Sequence, residues 1–167
     1  MRSRHCKEAE MIFLDIDPDL PSRCCAKLSL PSDLLEQTAQ AALAQQAISP
    51  DADLTLVLTG DSQIRELNRE FLGIDTATDV LSFPAGETDP ETGRLYLGDI
   101  LISIPRAESQ ARAGGHALEA ELQLLVVHGV LHLLGHDHAG VEEKARMWAA
   151  QAEVLERLGL PTSIIRE

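Results

Sequence analysis

Four histidines lie close together in one short segment of the chain, at His128, His132, His136 and His138. His128 and His132 have the spacing that places both side chains on one face of a helix, where two imidazoles can contact one metal ion. A catalytic zinc site has three protein ligands and keeps one position open. The segment therefore predicts a metal centre of the catalytic kind.

The third ligand follows from the path of the chain after His132. In a continuous helix His136 would lie about 12 Å along the axis from His128, at ~1.5 Å per residue. That is too far for a shared ion with bonds of about 2.0–2.1 Å. Gly135 permits a left-handed helix stop after which the chain folds back. We therefore expect the ligands to be His128, His132 and His138, with His136 supporting the site or facing a substrate.

The ligand set also indicates the reaction. Three neutral imidazoles leave a zinc ion its full charge, which acidifies a bound water to a pKa of roughly 7 and favours an anionic substrate such as a phosphodiester. A zincin peptidase carries glutamate after its first histidine as general base, whereas this chain has Gly129. Asp137 is either a proton acceptor near the site or a turn-stabilising residue. The general base and the substrate-binding residues stay unassigned.

The overall charge limits which substrates fit. The chain has 14 Lys and Arg against 27 Asp and Glu, a net charge of −13, and only 3% aromatic residues. Nucleic-acid binding proteins usually present a basic surface and aromatic side chains for base stacking. Composition therefore disfavours extensive nucleic-acid binding and leaves room for a small cationic cleft at the metal.

The elements around this segment predict an α+β fold. With 167 residues, of which 44% are hydrophobic, the chain is expected to form one domain over residues 1–167. Strands are predicted at Met11–Ile16, Asp53–Thr59, Asp79–Phe83 and Arg94–Ser103. Helices are predicted at Ser32–Ile48, from Gly60-Asp61 to Gly73, at Ile104–Ala113 and Ala117–Leu134, and from Val141 to Leu155. We expect a small mixed sheet covered by helices, with the metal site on the buried helix.

The ends and buried faces of several elements can also be predicted. Pro84 is expected to end the third strand and to begin a polar loop that reaches Gly93. The helix after Gly60 is predicted to bury Ile64, Leu67 and Phe71, and the last helix to bury Val141, Ala145, Trp148, Ala152 and Leu155. The stretch through Lys27 has no pattern that assigns it a role.

A cytoplasmic location is predicted. No apolar run approaches the roughly 18–20 residues that span a bilayer, and the first ten residues do not resemble a secretory signal. Cys6, Cys24 and Cys25 are odd in number and two are adjacent, so no disulfide partner is expected.

The histidine segment resembles the YbeY family of bacterial endoribonucleases. His128–His138 matches that family's HGxLHLxGH/YDH signature throughout, and further family blocks lie upstream in the same order, at Leu67-Asn68, Thr78–Pro84, Leu97–Ile100 and Gln110-Ala111. The resemblance implies one zinc ion per chain on His128, His132 and His138, at the bottom of a cleft beside the sheet. It also implies hydrolysis of single-stranded RNA in forming the 3′ end of the small-subunit ribosomal RNA and in ribosome quality control.

One departure from the family concerns phosphate binding. Members commonly carry arginine in an LNxxYR pattern, and here Leu72 occupies that position. Arg69, one helical turn earlier, either reaches the same cleft or is a solvated helix residue.

Asp79 and Asp99 either orient the histidines or cap turns.

Two other functions stay open. The first is a non-catalytic metal-binding factor associated with the ribosome, which Leu72 and the acidic charge favour. The second is a metallohydrolase of another substrate, which Gly129 disfavours.

Overall fold

The structure, a computed structural model, describes residues 12–20, 33–48 and 52–165. Its elements are β1 (Ile12–Ile16), α1 (Leu34–Gln45), β2 (Ala52–Thr59), α2 (Asp61–Leu72), β3 (Val80–Thr88), β4 (Leu95–Ser103), α3 (Ile104–Gly114), α4 (Leu118–Leu133), α5 (Val141–Arg157) and a 3-10 turn (Thr162–Ile164). The strands form a sheet in the order β1-β2-β4-β3. β1, β2 and β4 are parallel, and β3 is antiparallel to β4. The predicted α+β fold with a mixed sheet is confirmed.

The two central strands form the middle of the core. Leu56 on β2 and Ile100 on β4 are fully buried and belong to the large apolar cluster that includes residues of α1, α4 and α5. A smaller cluster contains Ile64 of α2 with Leu81 and Leu101, which are register partners on β3 and β4. The sheet therefore has α4 on one face and α2 on the other.

Helix α4, which carries the first two histidines of the segment, packs very closely on the sheet. A Cβ at Gly129 would lie 2.6 Å from Cγ2 of Ile100, closer than packed carbon atoms approach. The Oγ of Ser82 on β3 also donates a hydrogen bond to the carbonyl of Gly129, at 3.3 Å. The glycine that stands where a zincin has its glutamate is thus required by the packing of the helix.

The expected end of β3 at Pro84 is wrong. β3 continues to Thr88, and Pro84 pairs with Gly98 of β4. β3 is an edge strand, where proline is tolerated because its missing N–H can face away from the neighbouring strand. Gly98 has φ +139, and a Cβ there would lie 2.1 Å from the carbonyl oxygen of Phe83, so the two strands approach closely here.

The two predicted helix stripes are partly wrong. Phe71 is 61% exposed and Val141 is 89% exposed, and Ala145 is also exposed. The buried side of α2 runs through Ile64 and Asn68, whereas α5 buries Met147, Ala150, Gln151, Val154 and Leu155. Both helices are therefore rotated relative to the predicted stripes, which placed Phe71 and Val141 inward.

The predicted cap at Ser32 and all three cysteines lie outside the described residues. Within the described ranges, every helix is too short or too polar to span a bilayer.

Candidate metal centre

The structure brings His128, His132 and His138 together, as the spacing predicts. The Nε2 atoms of His128 and His132, one turn apart on α4, lie 3.0 Å from each other. One ring nitrogen from each of the three side chains lies within 4.8 Å of the others. His128 and His132 are half-buried and His138 is exposed, so the cluster opens to solvent on the His138 side.

A helix stop at Gly135 returns the chain to the cluster. Gly135 has φ +93, the left-handed region that glycine enters without a steric cost. The amide of His136 donates to the carbonyl of Leu131 at 3.0 Å, and that of Gly135 donates to the carbonyl of His132 at 3.1 Å. This pair of bonds is the Schellman motif, which closes the helix and reverses the chain direction. His138 therefore follows directly after a turn that α4 itself terminates.

The three side chains fit a zinc ion. Two nitrogens bound tetrahedrally to one zinc at about 2.0–2.1 Å lie about 3.3 Å apart, close to the 3.0 Å between His128 and His132. Burial, reinforced by the neighbouring ring of His132, lowers the pKa of His128 to about 4. Burial and the ring of His138 also lower the pKa of His132. Both rings are therefore neutral at pH 7 and offer lone pairs to a cation.

Helix α5 supports this cluster from one side. The Nδ1 atom of His128 lies 3.1 Å from Oε1 of Gln151. The Trp148 ring meets His128 and His138 edge-on, with centroids 6.2 Å and 6.0 Å away. The predicted packing role of Trp148 is confirmed. Gln151 was missed by the sequence reasoning, although a glutamine on an apolar helix face is a signal that a buried polar partner exists.

The three histidines line an open cleft of about 350 Å³. Its opposite wall is the start of β3 with the residues just before it, and Leu72 also borders it. Among the described residues that line this cleft none is lysine or arginine, and Asp79 is the acidic one. Leu72 thus occupies the cleft edge where the resemblance implies an arginine, and Arg69 is not among the lining residues.

His136 and Asp137 point elsewhere. The Nε2 of His136 lies 2.7 Å from Oε1 of Gln46, and Oδ1 of Asp137 accepts the amide of His138 at 2.7 Å. Both residues line a separate hollow with Glu143 and Arg146. The turn-stabilising interpretation of Asp137 is the one that the structure supports.

Asp79 and Asp99 make no described hydrogen bond to a histidine ring. Oδ1 of Asp79 accepts the amide of Val80 at 2.8 Å, which caps the start of β3. Asp99 accepts a hydrogen bond from the hydroxyl of Tyr96, and burial, together with this contact, raises the pKa of Tyr96. For Asp79 the structure supports local capping, whereas Asp99 lies within β4 and does neither of the two predicted things.

Fold and site together define an α+β protein with a candidate catalytic metal centre in an open cleft. The sequence model of the family described as endoribonuclease YbeY matches residues 26–159. The chain is 46% identical over 130 residues to endoribonuclease YbeY of Pelotomaculum thermopropionicum, covering 76% of this chain and 86% of that protein. It is 38% identical over 162 residues to endoribonuclease YbeY of Shouchella clausii, covering 92% and 99%.

A solved structure agrees with these relatives. The solution structure of TM1509 from Thermotoga maritima matches with a TM-score of 0.50 and 28% identity, over 89% of this chain and 92% of that one. The chain therefore belongs to the endoribonuclease YbeY family, as its histidine segment predicts. This membership and the histidine cluster confirm the predicted enzyme class, a metal-dependent hydrolase.

Proposed function

We propose that this protein is a zinc-dependent endoribonuclease that cleaves single-stranded RNA, with one zinc ion per chain on His128, His132 and His138. The observation that carries the proposal is the convergence of three imidazole nitrogens within 4.8 Å at an open cleft. The substrate class is supported by the relatives, which carry the name endoribonuclease. When bound, the ion supplies a Lewis acid and an activated water for phosphodiester hydrolysis.

The protein's own residues hold and shield this centre. Helix α4 fixes two ligands on one face, and the turn at Gly135 delivers the third. The Trp148 ring packs edge-on against His128 and His138 and supports both rings from the side of α5. The described lining of the cleft lacks lysine and arginine. The attraction for a phosphate therefore comes chiefly from the ion, whose full charge is kept because its three ligands are neutral.

A role in ribosome assembly extends the proposal. It places the enzyme in the cytoplasm, acting on the 3′ end of the small-subunit ribosomal RNA and in ribosome quality control, with the small subunit as partner. The resemblance in the histidine segment and the upstream family blocks supports this role. Because a protein with a net charge of −13 binds free RNA weakly, the proposal assigns delivery of the substrate to that partner.

A second candidate is a non-catalytic ribosome-associated factor that uses the metal for its structure. Leu72 at the cleft edge and the acidic charge favour it. A metallohydrolase of peptides is disfavoured, because the closeness of Gly129 to Ile100 leaves no room for a general base at that position.

The test measures metal content and RNA cleavage of the wild type and of His132→Ala, purified in parallel. The substrates are one single-stranded RNA, its duplex and the DNA of the same sequence. About one zinc per chain, with cleavage of the single-stranded RNA lost together with the metal in the variant, supports the proposal. Bound zinc with equal cleavage by both proteins points to the non-catalytic factor and to a contaminating nuclease. A wild type that binds no zinc when it is supplied overturns the metal centre.

A further inference from the structure

One polar side chain on the apolar face of α5 contacts a candidate metal ligand directly. Gln151 is 2% exposed and is surrounded along the helix by buried apolar residues such as Met147 and Val154. Its Oε1 lies 3.1 Å from Nδ1 of His128, a contact between residues 23 positions apart in the chain. The two side chains thus join α5 to the metal-binding helix α4.

This contact decides which nitrogen of His128 carries the proton. A neutral imidazole has one N–H and one lone pair. If Oε1 of Gln151 accepts, the N–H is on Nδ1, and the lone pair is on Nε2. That Nε2 is the atom 3.0 Å from Nε2 of His132, inside the cluster. The hydrogen bond therefore selects the form of His128 that can bind a cation there.

The amide nitrogen of Gln151 shows that this residue is not placed here for apolar packing. Nε2 of Gln151 is buried and has no hydrogen-bond partner among the described residues. Burying an unpaired N–H costs about 1–3 kcal/mol, and a methionine of similar length would avoid that cost. In the structure, the contact between Oε1 of Gln151 and Nδ1 of His128 is the one that offsets this cost.

Packing alone does not hold the ring on this side. A cavity of about 220 Å³ borders His128, Trp148, Gln151 and Asp79. A ring beside an open space can turn about its side-chain torsions unless a directional contact fixes it. The hydrogen bond to Gln151 is that contact.

We propose that Gln151 is a positioning residue, which holds His128 in the Nδ1–H form and aims its Nε2 at the metal. The inference rests on the metal centre proposed above. Partners of this kind set the tautomer and the orientation of a ligating histidine, and losing one costs 10–100-fold in metal affinity.

The test uses Gln151→Met, which removes the acceptor at similar size, and Gln151→Glu, which in its ionised form offers only acceptor oxygens. Co²⁺ titration of the metal-stripped full chain measures affinity, and imidazole ¹⁵N NMR of the metal-free protein measures the tautomer of His128. We expect the wild type to show the Nδ1–H form. Gln151→Met should mix the two forms and bind Co²⁺ 10–100-fold more weakly, whereas Gln151→Glu should restore the Nδ1–H form and wild-type affinity.

Gln123→Met is the matched control. Gln123 is another buried glutamine, 7% exposed on α4, and its Nε2 donates to Oγ1 of Thr38 at 3.2 Å. Its replacement should lower the melting temperature of the metal-free protein and leave Co²⁺ affinity unchanged. Wild-type Co²⁺ affinity in Gln151→Met overturns the inference. Loss of affinity in Gln151→Glu also overturns it, because the amide would then be the donor. A wild type that binds no Co²⁺ or zinc overturns instead the metal centre itself.

Discussion

Nε2 of His136 lies 2.7 Å from Oε1 of Gln46, so the loop after α4 is hydrogen-bonded to the end of α1. This contact turns the third histidine of the segment away from the cleft that the other three line. The hydrogen bond gives His136 a structural role, which the spacing of the four histidines does not reveal.

The two histidines after the turn should therefore respond differently to replacement. His138→Ala removes a metal ligand and should lower zinc affinity at least 100-fold. His136→Ala should leave zinc affinity within about threefold of the wild type and reduce the free energy of unfolding by about 1 kcal/mol, the worth of one hydrogen bond. Competition with a chromophoric chelator measures affinity, and urea denaturation measures stability. Equal loss of zinc affinity in both variants would place His136 in the metal site.

The close packing of Gly129 on Ile100 predicts that a larger side chain at position 129 destabilises the fold. Gly129→Ala gains about 1 kcal/mol of helix propensity, but its Cβ meets Cγ2 of Ile100 at 2.6 Å. Overpacking of a dense core costs about 1–3 kcal/mol, so we expect a net loss of stability in urea denaturation. In an Ile100→Ala background the same substitution should be neutral or stabilising. The absence of such coupling in the double-mutant cycle would contradict the close approach of α4 to the sheet.

The parts of this molecule that the sequence predicts well are local. The helix stop at Gly135 is encoded within one turn by a residue that enters the left-handed region, so the return of His138 could be predicted without knowing the rest of the fold. Gln151 could not be assigned in this way, because its partner lies on another helix. Phe71 and Val141 were placed inward wrongly because each stripe has an apolar period that fits more than one rotation of the helix. Packing on β4 and α3 sets the rotation of α2, and packing on α1 and α4 sets that of α5.

Acid should destabilise the metal-free protein. The pKa of His128 is lowered from 6.5 to about 4 in the folded state, so the unfolded chain binds the proton more strongly. Above pH 6.5 the ring is neutral in both states and carries no penalty. As the pH falls from 6.5 to about 4 the unfolded state gains the proton first, and up to about 3 kcal/mol of stability is lost, at about 1.4 kcal/mol per pKa unit.

Urea denaturation of the metal-free wild type at pH 7 and pH 4.5 measures this loss. His128→Asn serves as the control, because it removes the titrating ring and leaves a smaller polar side chain that does not titrate. The variant should lose less stability than the wild type over the same interval. Identical pH dependence of the two proteins would show that His128 titrates normally in the folded state.

An arginine in place of Leu72, at the edge of the cleft, should strengthen the binding of single-stranded RNA. Leu72 is 57% exposed and borders the histidine cleft, so Leu72→Arg adds a cation where a phosphate of bound RNA would pass. With metal-free protein, which leaves the RNA uncut, we expect tighter binding of single-stranded RNA in fluorescence anisotropy. One added phosphate contact should steepen the plot of log affinity against log salt by about 0.7. Phe13→Arg adds the same charge on β1, at the opposite edge of the sheet from β3, and should leave that slope unchanged. Equal slopes in the two variants would mean that RNA does not pass along this edge of the cleft.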